Sequence, residues 1–121
     1  METNIALDKL HALGHETRLE VFQRLMRSHA DGISAGSLAD AMDILPNTLS
    51  THLGQLKRAG LISVTRQGRS LYYRANNTGI RDLLLFLMKD CCGGKPDLCA
   101  PIFDQLNAAQ QPHKQRQTHE L

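Results

Sequence analysis

The sequence predicts a mainly α chain carrying one small β-hairpin, an α+β fold, on three observations. Apolar residues recur at three- and four-residue spacing through most of the chain up to Gly60, as amphipathic helices require. Period-two alternation appears once, around Ile62 to Tyr73, broken by the turn Arg66-Gln67-Gly68-Arg69. The length of 121 residues, 41% hydrophobic with 4% aromatic and no Trp, allows one domain with a modest aliphatic core. A core that thin often gains stability by dimerising.

Residues 4–13, NIALDKLHAL, read as a first helix with Ile5, Leu7, Leu10 and Leu13 partly on one side, interrupted by Gly14. A second helix, Glu16 to His29, carries Leu19, Phe22, Leu25 and Met26 at helical spacing and ends at the Asp31-Gly32 turn. Ser34 is a suitable cap for a short third helix through Met42, with Leu38 and Ala41 turned inward. Pro46 suits the first position of a fourth helix, because the donor it lacks would be unpaired there anyway. Leu49, Leu53 and Leu56 give that helix one apolar stripe, and Gly60 stops it. The hairpin follows, with two arginines at its tip. Thr78 or Asn77 is the expected cap of a last helix, Ile80 to about Asp90. Its Leu83–Met88 run is apolar nearly all round and needs cover on more than one side. A partner subunit is the expected second cover. Pro101 to Leu106 could form a turn or two of helix, and residues 107–121 are polar and Gln-rich like a disordered tail.

Short helix, tight turn, helix and hairpin follow in the order of a winged helix-turn-helix. Charge points the same way. No acidic residue occurs between Asp43 and Asp82, while that stretch holds Lys57, Arg58, Arg66, Arg69, Arg74 and Arg81. Such a surface suits a phosphate backbone, where each neutralised charge releases a counterion. The fourth helix is the candidate recognition helix, and Asn47, Thr48, Ser50, Thr51, His52 and Gln55 supply groups that can reach base edges. Lys57, Arg58, Arg66 and Arg69 would hold phosphates or enter the minor groove. His52 could equally pack beside Leu49 and Leu53, and Tyr72 and Tyr73 are expected to pack on the core.

The stretches ALGHETRLEVFQRL (12–25), LSTHLGQLKRAGLI (49–62) and RQGRSLYYR (66–74) resemble the ArsR family of dimeric metal-sensing repressors, and the likeness extends over about residues 5–92. It implies dimerisation through the first and last helices, binding to a partly palindromic double-stranded DNA operator, and release when an inducer binds. Two-fold symmetry would place two recognition helices about one turn of DNA apart.

All three cysteines, Cys91, Cys92 and Cys99, fall in DCCGGKPDLC. Family sensor sites vary in position. SAGSLADAM, in the place of a Cys-x-Cys arsenic site, contains no cysteine, and residues 80–90 contain no histidine for a zinc-type site. The remaining cluster is similar to C-terminal three-cysteine arsenite sites. Three thiols without an adjacent histidine suit a soft ion, As(III) or Sb(III). Neighbouring side chains on a helix diverge by about 100°. Cys91 and Cys92 can therefore share an ion only where the helix ends, which Gly93-Gly94 permit.

Alternatives are buried thiols acting as small hydrophobes, a thiol redox switch, or another thiophilic metal such as Zn, Cd or Cu. Zinc would take a fourth ligand from His113 or His119. A disulfide between neighbours is strained and disfavoured in a reducing compartment. His11, His15 and His29 read as ordinary surface or interface residues. The expected organisation is a DNA-binding and dimerisation domain over residues 1–92, a metalloid-binding segment over 91–106 and the tail. No signal peptide or membrane span is expected, so the chain reads as cytoplasmic with no membrane partner. Without a Cys-x-x-Cys or an organic-cofactor loop, no enzyme activity is expected. A thiol enzyme or a metalloid chaperone would need the cysteines but not the basic segment.

Overall fold

Helices and short strands alternate in the order α1 (Thr3–Leu13), α2 (Glu16–Arg27), β1 (Ile33–Ser34), α3 (Ala35–Met42), α4 (Pro46–Arg58), β2 (Ile62–Gln67), β3 (Ser70–Ala75) and α5 (Asn77–Met88). This is a computed structural model that describes residues 1–28, 30–89, 100–102 and 104–106. Cys91, Cys92, Cys99, His29, Asp90 and the expected tail 107–121 lie outside the described residues. The chain divides into two units, Met1–Leu84 and Leu85–Leu121.

In the first unit the core is a cluster of Val21, Phe22 and Leu25 from α2, Leu38 and Ala39 from α3, and Leu49, Leu53 and Leu56 from α4, closed by Leu61 and Ile62. The α4 stripe is buried as its spacing predicts, and each such leucine stabilises the fold by roughly 1.5–3 kcal/mol. On α3 the residue that joins Leu38 inside is Ala39, whereas Ala41 is exposed. On α2 the buried set is Val21, Phe22 and Leu25, with Leu19 and Met26 exposed.

The first helix buries the residues that look least suited to it. α1 turns Ala6, Lys9 and Ala12 inward, while Ile5, Leu7 and Leu10 stay exposed. Small side chains at Ala6 and Ala12 let α1 lie close to the core, where Leu13 also packs, while Ile5, Leu7 and Leu10 face away.

Local chemistry sets the element ends. The Ser34 hydroxyl accepts from the Ser37 amide at 3.1 Å, capping α3 as expected. Pro46 opens α4. At the other end Gly60, at φ +79°, lets the Leu61 amide reach the Leu56 carbonyl (3.1 Å) and its own amide reach Lys57 (2.9 Å), a Schellman closure. β2 and β3 form the expected hairpin, with Gln67 opposite Ser70 and Gly68 at φ +64° in the two-residue turn. Arg66 therefore sits on β2, opposite Leu71, and Arg69 in the turn. A third strand that periodicity does not reveal, β1, pairs with β3 through Ile33–Tyr73 and Ser34–Tyr72, giving the antiparallel order β1-β3-β2. Tyr73 packs against the core as expected, and Tyr72 is half-buried.

α5 begins earlier than periodicity suggests. Its cap is Asn76, whose Oδ1 accepts from the Gly79 amide at 3.2 Å, rather than Asn77 or Thr78. Leu83 is buried and Leu84 exposed. In the second unit Leu85 and Leu87 are exposed, the Lys89 ammonium lies 5.3 Å from the Phe86 ring centroid, and residues 100–102 and 104–106 are helical. No helix among the described residues is long and apolar enough to cross a membrane.

Candidate nucleic-acid interface

With Leu49, Leu53 and Leu56 buried, steps of about 100° per residue fix what the rest of α4 shows to solvent. Asn47, Thr48, Ser50, Thr51, Lys57 and Arg58 are exposed. Asn47, Thr51 and Arg58 lie opposite the buried stripe, one turn apart or two. The Thr51 hydroxyl donates to the Asn47 carbonyl at 3.3 Å, which fixes its hydrogen and leaves its lone pairs outward. Arg66 and Arg69 are exposed on the hairpin. Among the described residues none of Lys57, Arg58, Arg66 and Arg69 pairs with a carboxylate; the ion pairs are Arg24–Glu20 and Arg81–Asp82. Four cations on one helix end and one hairpin thus have no carboxylate partner among the described residues.

His52 and Gln55 are placed differently. Both are half-buried on the flank of α4 that meets α1 and α2. The His52 ring lies 4.8 Å from that of His15, tilted by 41°, and its Nδ1 is 3.4 Å from a guanidinium nitrogen of Arg18. Arg18 is held in turn by its Nε, which donates to the Ala12 carbonyl at 2.7 Å. His15 is more than a surface residue, because its Nδ1 accepts from the Thr17 amide at 3.1 Å and caps α2. Burial first, then the nearby His15 and Arg18, hold the His52 pKa below its ordinary 6.5. A neutral imidazole wedged between α2 and α4 fits a packing role. Gln55 lines an open groove of about 400 Å³ together with Asp8, His11, Arg18 and Arg58.

Six of the ten residues expected to face DNA therefore share the outward surface of α4, and Arg66 and Arg69 stand on the hairpin. His52 and Gln55 are half-buried toward the neighbouring helices, and the exposed Arg58 borders the same groove as Gln55. Two further cations hold the helices together: Lys9 reaches the distant Ala59 carbonyl, and Arg18 reaches back to the Ala12 and His11 carbonyls at the end of α1. Their positions in charged helical stretches carry no local sign of it. Among the described residues no group of three or more His, Cys, Asp or Glu side chains could hold a metal ion.

A short helix, a tight turn, a second helix with a polar outer face and a basic hairpin behind it make a winged helix-turn-helix transcriptional regulator. Comparison with known proteins agrees: the helix-turn-helix domain family matches residues 13–65. Transcriptional repressor SdpR of Bacillus subtilis is 30% identical over 87 residues, 72% of this chain and 93% of that protein. The cadmium resistance transcriptional regulatory protein CadC of Listeria innocua is 31% identical over 72 residues, 60% of this chain and 59% of its own. The solved structure of an ArsR-like transcriptional regulator from Rhodococcus superposes with TM-score 0.65 at 26% identity, covering 89% of this chain and 92% of that one. The chain belongs to the ArsR family of winged-helix transcriptional regulators.

Proposed function

We propose that this protein is a homodimeric repressor that holds a palindromic operator and releases it when As(III) or Sb(III) is bound by Cys91, Cys92 and Cys99. The observation that carries the DNA-binding half is the set of exposed cations Lys57, Arg58, Arg66 and Arg69, which pair with no carboxylate among the described residues, beside the polar face of Asn47, Thr48, Ser50 and Thr51. The cations would hold phosphates, and the short polar groups would meet base edges in the major groove. His52 and Gln55 would act from behind, by seating α4 on α2 and α1.

Dimerisation is supported by the inverted character of α1, which exposes Ile5, Leu7 and Leu10, and by the exposed Leu84, Leu85 and Leu87 of α5. Exposed leucines on two helices of so small a chain are what a subunit contact would cover. The sensing half rests on the sequence. All three thiols fall within residues 91–99, beyond the end of α5 in the sequence, and trivalent arsenic takes three soft sulfur donors. A relative named for cadmium resistance belongs with thiophilic-metal regulation in general, so cadmium and zinc are the competing inducers. Capture of an ion at the end of α5 would act on the dimer, and it could shift DNA binding only by its difference in affinity for the bound and released states.

A gel shift with the DNA upstream of the protein's own gene tests this reading. Reduced wild-type protein should retard the fragment and lose it on addition of arsenite. A Cys91→Ser, Cys92→Ser variant should retard it at every arsenite level. A variant that releases normally places the sensor elsewhere, and release by cadmium or zinc but not arsenite assigns the thiols to a different metal.

A further inference from the structure

The C-terminal end of α4 is where three helices are tied together. The Lys9 side chain, from α1, is only 6% exposed, and its ammonium donates to the Ala59 carbonyl. From the start of α5, the Asn76 Nδ2 donates to the Gly60 carbonyl at 3.0 Å, and the Asn76 amide donates to the Leu61 carbonyl at 2.8 Å. The Schellman closure already occupies the Leu56 and Lys57 carbonyls. The carbonyls of Ala59 and Gly60, just past the last helical residue, lie at the negative end of the helix and would be costly to bury unpaired. Helices usually satisfy such groups with water or with their own next residues. Here the donors come from two other helices, and one of them is a buried ammonium.

The fit at this point is close. A Cβ on Gly60 would lie 2.8 Å from the Lys9 ammonium, and one on Gly79 would lie 2.1 Å from the Gly60 oxygen. The first turn of α5 therefore rests backbone on backbone against the end of α4, bridged by Asn76 on one side while Lys9 presses from the other.

We propose that Lys9 and Asn76 are positioning residues for DNA binding, fixing the end of α4 to α1 and α5 so that the arrangement of those two helices sets the aim of α4. It rests on the proposed function, in which α4 enters the groove and α1 and α5 meet the partner subunit. Neither residue touches DNA. Two recognition helices must match half-sites about 34 Å apart, so a small tilt of α4 within each subunit misplaces both. A rearrangement of α1 or α5 reaches α4 first through these hydrogen bonds.

Two variants cut the two ties separately. Lys9→Met keeps most of the apolar stem and removes the ammonium. Asn76→Asp keeps the oxygen that caps α5 and removes the donor to Gly60. Each is compared with wild type for folded fraction by circular dichroism, dimer content by sedimentation, and Kd for the upstream DNA across a salt series. The expected result is a folded dimer whose Kd is weaker by about tenfold or more. The slope of log Kd against log salt should stay unchanged, because no phosphate contact is lost. A purely stabilising role would lower the folded fraction and leave the Kd of the folded dimer intact, which overturns the inference. So does a Lys9→Met slope smaller by about one phosphate contact, since Lys9 would then touch DNA itself. If Lys9→Met does not fold, Asn76→Asp carries the same test. A wild-type protein that binds no DNA sinks the functional reading and this inference with it. A wild type that binds beside variants that bind equally well sinks this inference alone.

Discussion

Replacing Gly79 by alanine should weaken the fold, although alanine is by far the better helix former. In an open helical position the exchange gains about 1 kcal/mol. At Gly79 the new methyl carbon would lie 2.1 Å from the Gly60 oxygen and 3.2 Å from its carbonyl carbon. Real Cβ atoms essentially never approach closer than 3.0 Å, and the opposing atoms are backbone that no rotamer change can move. Overpacking of this kind costs about 2–3 kcal/mol. Pushing α5 away also stretches the Asn76–Gly60 hydrogen bond, about 1 kcal/mol more. The net loss is then about 2–3 kcal/mol, a fall in Tm of about 10–20 °C for a domain of this size. Gly36→Ala on α3 is the control, since nothing lies within 4 Å of its added carbon. That variant should equal or exceed wild type by up to about 1 kcal/mol. Urea unfolding followed by circular dichroism, at one fixed protein concentration because a dimer's stability depends on it, gives both signs in one experiment. A Gly79→Ala protein as stable as wild type would show that α5 does not rest on Gly60 as described.

Arg58→Gln should reduce the salt slope of operator binding by about one and weaken binding evenly across DNA sequences, because Arg58 would hold a phosphate; a slope equal to wild type would place Arg58 off the DNA. For His52 the sign follows from its lowered pKa. The unfolded chain takes up the proton first, so His52 contributes its stability in full above its ordinary pKa of 6.5 and loses it as the pH falls from there through its lowered folded-state value. His52→Gln should flatten this part of the stability–pH curve measured by thermal unfolding, and an unchanged curve would assign the pH response to another group.

The architecture was largely legible in the sequence because its signals are local. Leu49, Leu53 and Leu56 recur at helical spacing behind Pro46, and the hairpin's alternation brackets Gly68. What stayed hidden depends on how elements cross. β1 has only two residues, too few for a period, and exists because β3 offers an edge opposite Ile33 and Ser34. Periodicity gives α4 its buried stripe but not what meets its flanks, so Gln55 reads like Thr51, and His52 stays open between base contact and packing, until α1 and α2 are in place. Ile5, Leu7, Leu10 and Leu13 of α1 all look like core residues in sequence, yet the close approach of α1 suits Ala6 and Ala12, keeps Leu13 against the core and leaves Ile5, Leu7 and Leu10 outside. Asn76 does not stand out as the cap in sequence, because Asn77 and Thr78 carry the same chemistry one and two positions later. The expected thiol site falls on residues 91–99, outside the described residues.

The most direct test follows a labelled operator by fluorescence anisotropy while reduced protein bound to it is titrated with arsenite. Anisotropy should fall to the value of free DNA as metalloid saturates the subunits, and should not fall when Cys91, Cys92 and Cys99 are all serine. An operator that stays bound at saturating arsenite, or that leaves the all-serine protein equally well, would contradict the proposed thiol sensing.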